Sequence, residues 1–184
     1  MQFRKLPLGY IARFLGSFCL LYFGTYLLIG ISTPGGSLYS SFIDEYLNYV
    51  HGLRRMLLNG SRLILSVFGY EASIENMYDL RLKGGSRVHM VYSCLGIGLL
   101  SFWLAFIYAN AIGFRKSLLW MTSGVFMICL LNIARVSLLL LSNNYRWGLF
   151  RNVNHHTMFN IAVYILIFFM MWIFDRCMKK TATP

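Results

Sequence analysis

The chain has 184 residues, of which 58% are hydrophobic and 12% charged, whereas soluble globular chains have about 45–50% and about 25%. This balance indicates an integral membrane protein, while an aromatic share of 17% and the lack of a heptad or triplet period exclude disordered, collagenous and coiled-coil chains. The net charge of +11 does not indicate nucleic-acid binding, because no basic stripe lies outside the apolar runs; such charge is typical of membrane borders.

Four stretches are long and apolar enough to cross a bilayer, since a spanning helix needs about 20 mainly apolar residues. The first resembles a signal peptide, but no small-residue cleavage site follows it, so we predict a retained helix. The predicted fold class is therefore an all-α integral membrane protein with a bundle of about four transmembrane helices. The predicted spans are residues 14–31, 92–112, 117–141 and 155–174.

The segment between the first two spans predicts two smaller elements. Residues 53–70 are apolar but carry Asn59 and Arg62 near the middle. We interpret them as a tilted or interfacial amphipathic helix, with a fifth span as the open alternative. Residues 76–93 alternate around the turn 84–86 (GGS), which predicts a small extracytoplasmic β-hairpin leading directly into Cys94.

Basic residues predict the orientation, because Lys and Arg in short loops stay on the cytoplasmic side. They cluster at both termini and in the turn between the second and third spans, which fits four spans with both termini in the cytoplasm. The outer ends of the last three helices then share one leaflet. The clustered residues are Arg4, Lys5, Arg13, Arg115, Lys116, Arg176, Lys179 and Lys180.

A charged residue within the third apolar run is the first candidate for chemistry. Arg135 would cost about 2.5–3.5 kcal/mol at the centre of a spanning helix, so such a residue usually faces protein or water. Asn132 lies three residues earlier on the same helical face and could orient the guanidinium. From position alone, Arg135 could equally snorkel to the outer headgroups.

The second candidate is Cys94, which begins the second predicted helix. The positive end of a helix and a nearby cation both lower a thiol pKa and favour the thiolate; the alternative is a small apolar filler. We interpret Cys19, Cys129 and Cys177 as fillers. The spacing of the four cysteines indicates neither a zinc site nor a disulfide framework.

The third candidate is a histidine at the start of the fourth predicted helix. His155 and His156 point about 100° apart on a helix, so only one faces a common site. An imidazole can take a proton from a thiol and return it to a leaving amine. Interfacial solvation, or metal or haem ligation, is the alternative. We predict no cofactor and no metal.

The predicted topology brings all three candidates to the outer ends of their helices. A cysteine with a histidine and a third polar group is the general scheme of thiol acyl transfer. In that scheme the Arg135 guanidinium could stabilise the tetrahedral oxyanion.

At this point the chain resembles the exosortase/archaeosortase family of multi-pass membrane transpeptidases. The resemblance covers about residues 72–175 and rests on motifs 93–96 (SCLG) and 132–135 (NIAR), followed by a histidine at the start of the last helix. It implies Cys94 as the nucleophile, Arg135 as its basic partner and a histidine as the third member. Asn160, four residues after His156, favours His156 over His155. Leu95 departs from the small residue often found there.

The resemblance implies a single exosortase-like domain over residues 1–184, with an N-terminal part (1–71) and a catalytic core (72–175). Such an enzyme lies in the cytoplasmic membrane with its active site on the outer side. It cleaves exported proteins that carry a C-terminal motif, hydrophobic helix and basic tail. The acyl group of the resulting Cys94 thioester then passes to an envelope glycolipid or polysaccharide acceptor, or to water, and the thiol is released. The alternative functions are a non-enzymatic membrane subunit and a small transporter component.

Overall fold

A computed structural model describes residues 8–36, 38–110, 113–145 and 155–182, with side chains except at 145, 155–160 and 179–182. It confirms a helical membrane protein with a small sheet. Four segments are long and apolar enough to span a membrane, namely Leu8–Ile31, Tyr92–Ala109, Phe114–Asn144 and Ile161–Met178. The elements are α1 Leu8–Ile31, α2 Tyr49–Val67, β1 Ala72–Glu75, β2 Asp79–Leu82, β3 Arg87–His89, α3 Ile97–Ala109, α4 Phe114–Tyr145 and α5 His155–Ala182.

The second predicted span is confirmed as long and apolar enough to cross a membrane, but it is not one continuous α-helix. Residues Tyr92–Leu95 form a 3-10 turn, and α3 begins only at Ile97. Gly96, between them, has a φ of 73°, a left-handed conformation that glycine adopts at little cost. The prediction missed this break because an apolar run contains no signal that separates a 3-10 turn from an α-helix.

The amphipathic segment forms α2, and its length and composition do not place it among the four candidate spans. Its buried residues recur at helical spacing and face α4, the sheet and the 3-10 turn. Asn59 and Arg62, in contrast, are exposed on the outer face. The buried residues are Val50, Arg54, Leu57, Leu58, Ser61 and Leu65.

Small residues allow α2 and α4 to approach closely. A Cβ at Gly60 would lie 2.5 Å from the Ile133 Cδ1 atom, so a larger residue there would have to displace the Ile133 side chain. The Ser61 hydroxyl donates to the Ile133 carbonyl at 3.3 Å, and the Ser137 hydroxyl donates to the Ser61 carbonyl at 3.5 Å. This contact fixes the middle of α4 against α2, as small residues do in other membrane helix pairs.

The predicted hairpin corresponds to β2 and β3, and β1 adds a third antiparallel strand that the sequence pattern did not predict. The sheet order is β1-β2-β3, with Leu80 opposite both Ile74 and Val88. The turn of the hairpin contacts the end of α4, where the Ser86 backbone N–H donates to the Asn144 Oδ1 atom at 3.2 Å. The sheet therefore covers one end of the bundle, here called the sheet end.

The opposite end of the bundle is held by a buried tryptophan. Trp103 is fully buried on α3, and its indole N–H donates to the Trp120 carbonyl at 3.0 Å. A Cβ at Gly124 would lie 1.8 Å from the Trp103 Nε1 atom. The contact between α3 and α4 therefore depends on a glycine at this position.

Replacing Gly124 should destabilise this end of the bundle. We expect Gly124→Ala to lower the free energy of unfolding by about 1–3 kcal/mol, since a methyl group must displace the indole. Gly16→Ala is the control, because nothing lies within 4 Å of a Cβ there. Thermal unfolding in detergent measures both, and equal unfolding temperatures for the two variants would contradict the packing described.

Candidate active site

A cavity of about 580 Å³ lies between α1, the 3-10 turn, α3, α4 and α5. Ser93, Asn132 and Arg135 supply polar groups to its lining, whereas the rest is largely apolar or aromatic. A mostly apolar pocket with a few convergent polar groups is typical of binding and catalytic sites. The aromatic lining consists of Phe18, Tyr22, Tyr26, Tyr92, Phe102, Tyr164 and Phe168.

The two residues of α4 that line the cavity are nearly inaccessible to solvent. Asn132 is 2% exposed and Arg135 is 6% exposed, so Arg135 lies inside the protein and does not snorkel to headgroups. The Asn132 side-chain amide donates to the Leu95 carbonyl at 3.4 Å. This hydrogen bond joins α4 directly to the turn that carries Cys94.

Gly96 makes this junction possible. A Cβ at this position would lie 2.4 Å from the Asn132 Nδ2 atom, and the positive φ of Gly96 disfavours any other residue. Asn132 can therefore reach the Leu95 carbonyl from the adjacent helix.

Cys94 is half-buried in the 3-10 turn, and its backbone N–H donates to the Val91 carbonyl at 2.9 Å. Its neighbours Ser93 and Gly96 line the cavity, but Cys94 is not among the described lining residues. The expectation that Cys94 begins an α-helix is wrong, because α3 starts three residues later.

The histidines lie at the start of α5, which begins at His155. The side chains of His155 and His156 lie outside the part of the chain that the structure describes, as does that of Asn160. The described part of α5 reaches the cavity through Val163, Tyr164 and Ile167. The helix that begins with the two histidines therefore forms one wall of the cavity.

Sequence reasoning missed Arg54, a second buried arginine at the sheet end. It is 3% exposed, and its guanidinium carbon lies 4.4 Å from the ring centre of Tyr78 and 4.6 Å from that of Tyr92. Tyr92 begins the 3-10 turn of Cys94, so Arg54 supports this turn from the side of α2. The signal was available, because Arg54 falls between Val50 and Leu57 on the apolar stripe of the helix.

The other three cysteines are not among the described residues that line this cavity. Cys19 and Cys177 are exposed and Cys129 is buried in α4. Within the described ranges, no group of three or more histidine, cysteine or acidic residues could hold a metal ion.

The model of a known protein family matches almost the whole chain. The matched family is the transmembrane exosortase family, over residues 6–173. The chain belongs to this family. No curated protein and no solved structure matches it. Membership confirms the resemblance seen in the sequence, and at family level it supports a membrane transpeptidase-type function directed at exported proteins with C-terminal sorting signals.

The junction between Gly96 and Asn132 can be tested in this exosortase. We expect Gly96→Ala to lower the free energy of unfolding by about 1–3 kcal/mol, since it forces a left-handed residue with a Cβ against the Asn132 amide. Gly98→Ala is the control, because its Cβ would make an ordinary contact of 3.7 Å with the Tyr22 ring.

Both variants are measured by thermal unfolding and by the labelling rate of Cys94 with a thiol reagent. Gly96→Ala should change both quantities, and Gly98→Ala should change neither. A Gly96→Ala protein indistinguishable from wild type would show that the junction does not hold the turn.

Proposed function

We propose that this exosortase is a membrane-embedded cysteine transpeptidase that cleaves C-terminal sorting signals through a Cys94 thioester. The observation that carries the proposal is the Asn132 hydrogen bond to Leu95. It joins the turn of Cys94 to the helix of Arg135, beside a cavity that both elements line. A nucleophile and a cation supplied by adjoining elements are what acyl transfer requires.

In the first half of the reaction the Cys94 thiolate attacks the carbonyl carbon of the scissile peptide. A C–S bond forms and the carbonyl oxygen becomes an oxyanion, which Arg135 stabilises. When the tetrahedral intermediate collapses, the C–N bond breaks. The leaving amine takes the proton that His156 removed from the thiol. If His156 does not face the site, His155 carries out this proton transfer.

In the second half an acceptor amine of the envelope, or water, attacks the thioester carbonyl. The histidine removes the proton from the attacking group, and the C–S bond breaks to return the thiolate. An envelope glycolipid or polysaccharide bearing an amine would be joined to the exported protein. Water would instead release a free carboxyl end.

The lining of the cavity fits a substrate that arrives in a membrane. Its walls are largely aromatic and apolar, and Asn132 and Arg135 lie among them. A substrate tail anchored as a helix in the same bilayer would present its scissile bond at a fixed depth. Anchoring of this kind supplies the proximity that a bimolecular reaction in solution lacks. The proposed location is the outer face of the cytoplasmic membrane, with both termini in the cytoplasm.

Loss of the thiol gives the direct test. We expect Cys94→Ala and Cys94→Ser to reduce tail cleavage of a co-expressed exported substrate by roughly 10³-fold or more, as loss of a catalytic nucleophile does elsewhere. Cys177→Ala is the matched control, because Cys177 is exposed at the end of the bundle opposite the site. Cleavage is followed by immunoblotting, together with the protein level. Normal processing by Cys94→Ala would end the proposal.

Replacing Arg135 separates catalysis from packing. We expect Arg135→Gln to slow cleavage by about 10²–10³-fold, the effect of losing one group that stabilises an oxyanion. Lys116→Gln, an exposed change at the other end of α4, is the control.

A non-enzymatic membrane subunit predicts a different result for the same variants. There, Arg135→Gln would lower function only in proportion to protein abundance, and periplasmic labelling of Cys94 by a thiol probe would not depend on Arg135. The proposed enzyme predicts slower labelling in folded Arg135→Gln protein.

A further inference from the structure

A second cavity, of about 300 Å³, lies between α2 and the turn that joins β1 to β2. It shares no lining residue with the candidate active site. Three basic or titratable side chains (His51, Arg54 and Arg55) and the Asn76 side chain line it. This concentration of donors in a small cavity points to an anionic ligand.

Arg54 is the central residue of this cavity. It is 3% exposed, and the rings of Tyr78 and Tyr92 hold its guanidinium at 4.4 and 4.6 Å. Its Nε atom has no hydrogen-bond partner among the described residues. A buried charged group usually pairs with an opposite charge, and two aromatic rings supply only part of that compensation.

No acidic side chain fills this role. All six acidic residues lie in the described part of the chain, and none forms an ion pair with Arg54 or Arg55. The two acids that adjoin the lining residues in sequence have other partners, since Glu75 lies 3.4 Å from Arg81 and Asp79 lies 2.6 Å from His89. Asp44 lies 3.9 Å from His51 of the cavity wall, which leaves Arg54 and Arg55 without an acidic partner. The cavity therefore has an excess of positive charge that an external anion can neutralise.

The surface of α2 indicates where that anion comes from. Beside exposed Arg55 and Arg62, the helix exposes the apolar side chains of Tyr49, Met56 and Leu63. A helix that exposes both basic and large apolar residues is typical of the membrane interface. The cavity beside Arg54 would then lie at the depth of the lipid headgroups.

We propose that this cavity binds the phosphate group of an anionic lipid headgroup. Arginine is suited to this ligand, because its guanidinium donates in a planar fork that matches phosphate oxygens. Arg55 and His51 add donors at the rim of the cavity. The site is independent of the proposed peptidase reaction, although Tyr92 connects it to the turn of Cys94.

Binding of phosphatidylglycerol to the purified full chain in detergent tests the site. Diacylglycerol with the same acyl chains is the lipid control, since it lacks phosphate. We expect phosphatidylglycerol to bind and to raise the unfolding temperature. Diacylglycerol, or millimolar inorganic phosphate, should not reproduce this shift.

Two variants test the residues. Asn76→Asp places a carboxylate on the cavity wall, and the backbone accepts it because Asn76 has a φ of 50°, a conformation that Asp also tolerates. We expect its Kd for phosphatidylglycerol to rise about tenfold, equivalent to about 1.4 kcal/mol. Arg54→Gln should weaken binding at least as much. The control is Arg62→Gln, an exposed change on the same helix, which should leave the Kd within about twofold, equivalent to about 0.4 kcal/mol.

Three results would overturn the proposal. The first is a wild-type Kd of Asn76→Asp for phosphatidylglycerol. This variant keeps the test valid even where Arg54→Gln fails to fold. The second is an equal loss in Arg62→Gln, which would indicate general surface charge. The third is an equal effect of inorganic phosphate, which would assign the cavity to free phosphate and not to a headgroup.

Discussion

The geometry of the candidate site depends on one contact, the hydrogen bond from the Asn132 amide to the Leu95 carbonyl across Gly96. A buried amide needs a hydrogen-bond partner, and this carbonyl lies where the 3-10 turn ends and α3 has not yet begun. The same glycine that interrupts the helix leaves room for the amide. The break in the helix and the position of the Asn132 amide therefore both depend on Gly96.

The amphipathic helix α2 supports this junction from outside the four spans. Gly60 and Ser61 bring it against Ile133 on α4, and Arg54 packs between Tyr78 of the sheet and Tyr92 of the turn. One helix thus contacts α4, the sheet and the turn that carries Cys94. The N-terminal third, which the family match also covers, is in this way a structural part of the site.

Arg135 illustrates how a membrane protein accommodates a charge within an apolar run. A guanidinium exposed to lipid would cost several kcal/mol, which burial beside Asn132 in a cavity wall avoids. The aromatic lining of that cavity keeps the surroundings apolar, and in a low-dielectric site a fixed cation interacts more strongly with a developing negative charge. The residue that is costly for insertion is therefore well placed for the proposed reaction.

The sequence by itself determined the four spans, the amphipathic helix and the β2–β3 hairpin, because apolar length and periodicity depend only on local order along the chain. It also singled out Asn132 and Arg135, since polar residues in an apolar run stand out against their surroundings. Only the tertiary structure decided the break at Gly96, the pairing of β1 with β2 and the position of Arg54 between Tyr78 and Tyr92. The break at Gly96 and the position of Arg54 depend on an amide and on rings distant in sequence, which no local pattern specifies. β1 pairs with its neighbour in sequence, but the turn between them places Asn76 and Met77 in the left-handed conformation and contains no glycine that would indicate it.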